Sequence, residues 1–353
     1  MKKRIAIAMS GGVDSSVAAA LLKRQGCEII GVMLRLWSEP GADGNLCCTP
    51  DAMELARSVA AQLDIPFYVV NARDAFYETV VQGFISGYTR GVTPNPCLLC
   101  NRHIRWGILL ERALALGADF MATGHYVRRR KTGDGRLELL RAADPQKDQS
   151  YVLHILNQTQ LSHSLFPLGE YTKPQVREIA RDFDLAVAER SDSQDLCFVG
   201  DGNYRDFLRR HTPQNIKPGA ILARDGRELG QHQGLAFYTI GQRRGLGIAS
   251  PCPLYVLEKD IAYNTLIVGH KEEMGNDELT AGDVNWISGE PPTEPIRAQV
   301  KIRYKSREVW GTVTPLESLR THVKFEEPLL DITPGQAAVF YDGEVCLGGG
   351  IIE

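Results

Sequence analysis

The sequence lacks any long hydrophobic run and any large excess of charge. No segment approaches the roughly 20 apolar residues that a membrane-spanning helix needs, so we expect no membrane partner. The 40 basic and 43 acidic side chains nearly cancel, leaving a net charge of −3. Because local patches decide nucleic-acid binding, this balance neither favours nor excludes such a partner. A chain of 353 residues predicts two or three domains.

The cysteines lack the dense, even spacing of a secreted disulfide scaffold. We therefore expect a cytoplasmic protein in a reducing compartment, where cysteines are catalytic, ligating or simply buried. The eight positions are Cys27, Cys47, Cys48, Cys97, Cys100, Cys197, Cys252 and Cys346.

Short β-branched runs alternate with helical periodicity from residue 5 to about residue 122, which predicts an α/β fold with a doubly wound parallel sheet. After residue 203 the helices largely stop. We predict an α/β domain over residues 1–203, a small β-rich central domain over 204–272 and an antiparallel β-barrel over 273–353. Predicted strands are 5–9, 29–34, 67–70 and 120–122, then 298–304, 309–313, 322–325, 337–341 and 345–347; predicted helices are 52–63, 74–88, 104–116 and 173–183.

The first strand runs into Ser-Gly-Gly-Val-Asp-Ser-Ser at residues 10–16, here called the Gly/Ser loop. Adjacent glycines let backbone N–H groups approach an anion, and the following helix directs its positive dipole end at the same point. The loop has no lysine of the G-x-x-x-x-G-K-[ST] kind, so it is not an ordinary P-loop. It resembles the pyrophosphate-binding loop of the ATP pyrophosphatase superfamily, whose members adenylate a substrate.

A Cys-x-x-Cys pair, Cys97 and Cys100, follows two prolines that favour an extended approach. We expect Cys100 near a helix start, beside Arg102, His103 and Arg105, with a lowered pKa. Alone the pair also fits half a zinc site, a redox dithiol or two buried thiols. A closed zinc site would need a second pair of ligands, and the sequence has no other such motif.

Cys197 lies in a polar Ser/Asp-rich segment, an unusual place for a purely structural cysteine. Three cysteines together with an adenylating loop point to sulfur transfer. The whole chain resembles the bacterial tRNA-specific 2-thiouridylases. The motifs that carry this resemblance occur in order along nearly all of it: SGGVDSS, TPNPCLLCN, ATGHY, KDQSY, DLCFVG, GQRRGLG, TPGQAAVFY and CLGGGIIE.

The resemblance implies a reaction and its residues. ATP adenylates O2 of a tRNA wobble uridine with loss of pyrophosphate, and sulfur from a Cys197 persulfide replaces AMP while Cys100 closes a disulfide with Cys197. A sulfur-relay protein would supply the persulfide. Asp14 would hold Mg²⁺ or position phosphates. The implied ATP-binding residues are Ala8, Met9, Ser10, Gly11, Gly12, Val13, Asp14, Ser15, Leu34 and Gly124.

For tRNA the resemblance implies a pocket for a base extruded from its stack. Basic clusters at 128–131, 209–210, 243–244 and 301–307 would contact phosphates, with strong salt dependence. A solvated surface is the alternative for each cluster. The implied tRNA-binding residues are Asn95, Pro96, Cys97, His125, Lys147, Asp148, Gln149, Arg303, Tyr304 and Gln336.

One position departs from the family pattern. Some relatives have aspartate where this chain has Cys97, so Cys97 does not inherit a role from Cys100. Thiolates of Cys97, Cys100 and Cys197 could instead hold an iron–sulfur cluster with an open position for sulfide.

Two rival functions remain open. A ligase or amidotransferase would use the Gly/Ser loop but leave Cys100 and Cys197 idle. A non-catalytic nucleotide-sensing RNA-binding protein would also need neither thiol.

Overall fold

The computed structural model describes residues 2–39, 48–190, 196–199 and 203–353. Its N-terminal part is built on a five-stranded sheet in which every pairing is parallel. Ile5 and Ile7 are at most 1% exposed, because helices cover both faces of such a sheet. The predicted doubly wound sheet is therefore confirmed. In order across the sheet the strands are Phe67–Asn71, Glu28–Arg35, Arg4–Ala8, Phe120–Ala122 and Ser164–Leu165.

Three helices pack on one face of this sheet, namely Val13–Arg24, Pro50–Gln62 and Lys173–Asp182. The predicted helices at 52–63 and 173–183 are confirmed within two residues. At the start of Lys173–Asp182, the side-chain oxygen of Gln175 accepts a hydrogen bond from the Thr172 backbone N–H at 2.8 Å, as half of a capping box does. This helix starts beside the Gly/Ser loop, since the side chain of its first residue, Lys173, contacts Asp14.

The opposite face is covered by a long helix that contains a π-helical stretch. It runs through Pro96–Leu99, the π-helical Cys100–Leu109 and Leu110–Ala115. The expected helix over 104–116 is thus confirmed, but it begins eight residues earlier, so Cys100 lies a full turn inside it. Hydrophobic periodicity cannot reveal π-helical winding, which is common at functional sites.

A second interrupted helix lies beside the first and comprises Arg73–Phe76, the π-helical Tyr77–Val81 and Gln82–Thr89. It confirms the predicted helix over 74–88. The remaining helices are shorter: Ser150–Leu153, Gln158–Ser162 and Tyr204–His211, with 3₁₀ turns at Pro213–Asn215, Leu235–Phe237 and Lys271–Glu273.

The central part contains a four-stranded sheet that mixes one parallel pairing with two antiparallel ones. The small β-rich unit expected from the sequence is present, and it packs against the helix Tyr204–His211 and the second interrupted helix. In order across the sheet the strands are Tyr255–Asp260, Thr265–Gly269, Gly219–Ala223 and Glu228–His232.

The C-terminal part is a closed antiparallel β-barrel, as predicted. Closure comes from pairing of the first strand, Asn276–Trp286, with the last, Val345–Ile352. The sequence did not indicate Asn276–Trp286, because the strand is interrupted at Asp283, whose φ is +51°, beside a register shift. The intervening strands are Ile296–Lys301, Val309–Pro315, Thr321–Leu329 and Ala337–Asp342.

A hairpin from the N-terminal part extends the barrel sheet. Its strands are Arg128–Lys131 and Leu137–Leu140, and Leu140 and Leu139 pair with Val345 and Cys346 of the last barrel strand. A hairpin of the N-terminal part and the barrel therefore share one continuous sheet. Among the described residues, no helix has both the length and the apolar character needed to cross a membrane.

Candidate active site

The Gly/Ser loop joins the first strand to the helix Val13–Arg24 at the carboxyl end of the parallel sheet, where such sheets bind ligands. The Ser15 hydroxyl accepts a hydrogen bond from the Ser10 backbone N–H at 3.2 Å and donates to the Gly12 carbonyl at 3.1 Å. The Ser16 hydroxyl donates to the same carbonyl at 2.9 Å. Two of the three serines thus stabilise the loop itself, while Ser10 is exposed.

Close backbone approaches explain two glycines of the implied ATP site. Gly11 has φ of +68°, and a Cβ there would lie 2.1 Å from the carbonyl oxygen of Ala52. A Cβ on Gly124 would lie 2.8 Å from the backbone nitrogen of Ser15 and 2.9 Å from the carbonyl carbon of Asp14. Gly124 therefore packs directly on the loop, as expected for two segments facing one crevice.

Asp14 is held by two side chains from distant segments. Its Oδ1 accepts hydrogen bonds from the Lys173 ammonium and from the Tyr126 hydroxyl, each at 2.7 Å. Lys173 is 8% exposed and is the first residue of its helix. Neither partner is evident from the sequence: Tyr126 lies in the motif ATGHY without an assigned role, and nothing in the local sequence places Lys173 at the loop.

A second cation reaches the loop from the segment that follows the helix Lys173–Asp182. Nη1 of Arg190 donates to the Gly11 carbonyl at 2.7 Å. The Arg190 carbonyl in turn accepts a hydrogen bond from Arg177 at 3.2 Å. The sequence does not reveal the role of Arg190, because this residue meets the loop only through tertiary packing.

The other implied ATP-binding residues line the same edge. Ala8 and Leu34 are half-buried ends of adjacent strands, and both pack against the cluster that contains Trp106 and Leu109. Met9 and Val13 are buried on the opposite face. The backbone N–H of Met9 donates to the Val32 carbonyl at 2.8 Å, so Met9 extends the sheet into the loop.

Asn95 and Pro96 start the helix that carries both cysteines of the Cys-x-x-Cys pair. The Asn95 side-chain oxygen accepts a hydrogen bond from the Cys97 backbone N–H at 3.1 Å, and Pro96 occupies the first helical position, where its missing N–H costs nothing. Cys97 is exposed, whereas Cys100 is 7% exposed and lies in an apolar cluster. The two thiols therefore occupy different environments.

The basic residues after Cys100 have partners of their own. Arg102 forms an ion pair with Asp283 of the barrel. Arg105 donates to the side chain of Asn101 at 3.0 Å and contacts Nε2 of His125 at 3.2 Å. The cationic groups near Cys100 thus also fix the helix against its neighbours.

His125 is buried beside Gly124 and is neutral. Burial, reinforced by the charge of Arg105, lowers the pKa of His125 well below its usual value. Since Arg105 can only donate, Nε2 accepts and Nδ1–H donates to the Thr123 hydroxyl at 2.8 Å. His125 is therefore positioned as an oriented neutral ring rather than as a cation for phosphate.

Several implied tRNA-binding residues meet where the barrel touches the cysteine-bearing segment. Burial, together with the charges of Asp148 and Cys97, raises the pKa of Tyr304. The amide of Gln336 donates to the Thr93 carbonyl at 2.8 Å. Barrel and N-terminal residues thus form one surface around Cys97.

The remaining implied tRNA residues have mostly internal partners. Asp148 is buried and accepts hydrogen bonds from the Ser150 hydroxyl and two backbone N–H groups. The Gln149 side-chain oxygen accepts from the Tyr126 backbone N–H at 2.9 Å. Arg303 pairs with Asp331 at 3.2 Å, and Lys147 is half-buried. Their tRNA roles stay predictions.

Cys100 is a buried member of the apolar cluster that includes Phe84 and Phe198, and Cys197 packs against that cluster. Cys197 is partly buried and directly precedes Phe198, whose ring lies 5.2 Å from that of Phe84. The polar residues 191–195, expected to precede this cysteine as a loop, lie outside the described residues. The structure thus brings two cysteines that are distant in sequence to one cluster.

The predicted phosphate-binding clusters differ in how much charge they present. Arg128 and Arg130 both pair with Glu344, and Arg129 donates to the Leu161 carbonyl at 2.8 Å. Arg210 forms a two-bond pair with Glu39. Residues 243 and 244 are exposed. The charges of Arg128 and Arg130 therefore help to join the hairpin to the barrel.

The side chains described do not form a metal site. In the described ranges, no three histidine, cysteine or acidic side chains converge as ligands, so Cys97, Cys100 and Cys197 are not arranged to hold an iron–sulfur cluster. Oδ1 of Asp14, proposed for Mg²⁺, already faces the Lys173 ammonium. A mechanism built on these residues therefore includes no step through a resident metal.

Comparison with known proteins gives matches along the whole chain. Protein-family models match residues 3–201 (tRNA methyl transferase HUP domain), 205–270 (tRNA methyl transferase PRC-barrel domain) and 276–352 (Aminomethyltransferase beta-barrel domain). The tRNA-specific 2-thiouridylase MnmA of Magnetococcus marinus is 49% identical, with 99% of each chain covered. The Moorella thermoacetica protein of that name is 51% identical over 98% of each chain, and that of Geotalea uraniireducens is 48% identical over 100% of this chain and 95% of its own. The chain belongs to the family of tRNA-specific 2-thiouridylases.

Proposed function

We propose that this protein transfers sulfur to C2 of the wobble uridine of tRNA at the expense of ATP. The observation that carries the proposal is the position of Cys100 and Cys197 on one apolar cluster in a chain that also has a Gly/Ser loop for pyrophosphate. The rival ligase or RNA-sensor functions would leave that pair of cysteines without a purpose.

In the first step, O2 of the uridine attacks the α-phosphate of ATP, and pyrophosphate leaves from the Gly/Ser loop. Backbone N–H groups at the start of Val13–Arg24 and the helix dipole stabilise the developing negative charge. The product is an adenylated uridine whose C2 is open to nucleophiles. Mg²⁺ would accompany ATP as its usual counter-ion.

In the second step, the terminal sulfur of a Cys197 persulfide attacks C2, and AMP leaves with the oxygen. The Cys100 thiolate attacks the Cys197 sulfur, which breaks the persulfide bond and forms a Cys100–Cys197 disulfide. The two cysteine thiols thereby supply the two electrons that reduce the transferred sulfur. A thiol reductant must then restore the enzyme, and a persulfide-donating relay protein must reload Cys197, in agreement with a reducing cytoplasm.

The target base would enter beside Asn95, Pro96 and Cys97, with Tyr304 as an aromatic neighbour. Extrusion of a base is needed because its C2 is inaccessible in a stack. The barrel residues Arg303 and Gln336 and the segment Lys147, Asp148 and Gln149 would hold the backbone or shape this pocket. The role of Cys97 is then one of contact rather than of sulfur transfer.

The test is a thiolation assay with an unmodified tRNA transcript, ATP, Mg²⁺ and an enzymatic persulfide source. Nucleoside mass spectrometry measures 2-thiouridine, and chromatography measures AMP and pyrophosphate. Cys100→Ser and Cys197→Ser should abolish 2-thiouridine while ATP still binds. The control is Cys252→Ser, since Cys252 is exposed in the central part and should retain wild-type activity.

Two results would contradict the proposal. Product formation by either Ser variant would exclude the persulfide route, and release of ADP in place of AMP would exclude adenylation. Anaerobic purification with iron and sulfide assays tests the iron–sulfur alternative, because a cluster required for activity would appear in stoichiometric amount.

A further inference from the structure

The Gly/Ser loop contains no positive side chain, and its only charged residue is Asp14. A triphosphate bound there would bring several negative charges beside a carboxylate. Backbone N–H groups and a helix dipole offer only partial charges, roughly half an elementary charge at the helix end. Beyond the Mg²⁺ that accompanies ATP, full positive charges at the phosphates would come from side chains in other parts of the chain.

Lys173 supplies one such charge from a fixed position. Its backbone N–H donates to Oδ2 of the buried Asp144 at 2.9 Å, and its ammonium lies 5.9 Å from the ring centre of Tyr126. The side chain is 10% exposed. Burying an ammonium is costly unless it is paired. The Lys173 ammonium is paired with the partly exposed Asp14, and this contact brings its charge to the crevice.

Arg190 supplies the second charge. Its guanidinium donates a hydrogen bond to the Gly11 carbonyl, and the Gly11 backbone packs closely against that of Ala52. A guanidinium has five N–H donors in a planar fork, so one bond to a carbonyl leaves others for phosphate oxygens. Lys173 and Arg190 thus approach neighbouring positions of one loop, at Asp14 and Gly11.

We infer that Lys173 and Arg190 bind the β- and γ-phosphates of ATP and the pyrophosphate that leaves. On ATP binding, the Lys173 ammonium exchanges its contact with the Asp14 carboxylate for one with a phosphate oxygen. These two residues take the place of the lysine that a P-loop carries within its own motif. The inference rests on the proposed function only in taking ATP as the substrate.

The test measures binding of inorganic pyrophosphate and of AMP separately, by calorimetric titration of the full-length protein. Lys173→Gln and Arg190→Gln should each weaken pyrophosphate binding about tenfold or more, as expected for loss of a charge-assisted contact, and leave AMP binding unchanged. Lys173→Arg, which keeps the charge, should restore most of the affinity. Lys23→Gln is the matched control, because Lys23 also donates to a backbone carbonyl, that of Asp64, but at the far end of Val13–Arg24.

Thermal unfolding of each variant separates folding from binding. Unchanged pyrophosphate affinity in both Gln variants would overturn the inference. Equal loss of AMP and pyrophosphate binding would also overturn it, because the two residues would then only support the loop. If the wild type binds pyrophosphate selectively through these residues but forms no 2-thiouridine, the inference stands and the proposed function fails.

Discussion

The side-chain amide of Gln336 donates a hydrogen bond to the carbonyl of Thr93 at 2.8 Å, across the junction between the barrel and the N-terminal part. Thr93 begins the extended segment that leads to Cys97 and Cys100. The backbone N–H of Thr93 also donates to the Pro334 carbonyl at 2.8 Å. The barrel therefore holds the segment on which the proposed sulfur chemistry depends.

Gln336→Ala should loosen this segment and weaken tRNA binding about tenfold, the effect of one lost hydrogen bond with some local disorder. ATP affinity should not change, because Gln336 is remote from the Gly/Ser loop. Filter binding of tRNA and titration of ATP measure the two quantities. Gln231→Ala, at an exposed strand position of the central sheet, is the control. A loss confined to ATP binding would contradict the assignment.

Gly124→Ala should severely weaken ATP binding. The added Cβ would lie 2.8–2.9 Å from backbone atoms of Asp14 and Ser15, so the loop itself must move, and overpacking of this kind costs about 1–3 kcal/mol. ATP titration measures the effect. Gly133→Ala is the matched control, since nothing lies within 4 Å of a Cβ there. Equal ATP affinity in the two variants would show that the loop is not the nucleotide site.

Glu308→Gln should destabilise the docking of the barrel by about 2–3 kcal/mol, because it removes the carboxylate that binds the partly buried Arg141 most closely, and that of Asp148 lies 4.0 Å away. Arg141 donates two hydrogen bonds to Glu308, at 2.6 and 2.8 Å, and both side chains are 20% exposed. Glu327→Gln removes a far more exposed pair with Arg307 and should change stability by less than about 1 kcal/mol. Chemical denaturation compares the two, and similar losses would contradict the argument.

His154 should make the fold acid-sensitive. Burial lowers the pKa of His154 from 6.5 to about 4, and among the described residues its Nε2 has no hydrogen-bond partner. Between pH 4 and pH 6.5, His154 is protonated in the unfolded chain but not in the folded protein. The free energy of unfolding is therefore greatest above pH 6.5 and falls by about 3 kcal/mol as the pH drops towards 4. Arg102 and Asp283 are the charged groups near it.

Denaturation of wild type and His154→Gln at several pH values between 4 and 7.5 isolates this effect. His125 is buried in the same way and persists in both proteins, so the difference in slope belongs to His154. Parallel pH profiles for the two proteins would show that residue 154 does not carry this linkage.

Local patterns in the sequence predicted most of the secondary structure. The Gly/Ser loop, the helix Pro50–Gln62 and the strand Phe120–Ala122 follow from periodicity and turn chemistry within a dozen residues. Asn276–Trp286 escaped prediction because Asp283 interrupts its alternation with a positive φ. The π-helical winding of Cys100–Leu109 leaves no mark in composition.

The site was harder to predict than the fold, because its charges come from far along the chain. Motif residues such as Asp14 and Gly124 could be placed through the resemblance. Lys173 and Arg190 meet the loop only through tertiary packing, more than 150 residues away in sequence. The sequence also cannot show that Arg128 and Arg130 pair with Glu344, and their contact with tRNA phosphates stays a prediction.

The hairpin that joins the barrel sheet has a consequence for how the chain withstands cleavage. Since Leu139 and Leu140 pair with Cys346 and Val345, the first and last parts of the polypeptide are bonded to each other directly and do not depend on the central sheet for their association. The exposed turn at Asp225 and Gly226 lies between them. After cleavage of the chain at that turn, the two fragments should therefore stay associated. The Gly/Ser loop and the barrel should keep their relative positions.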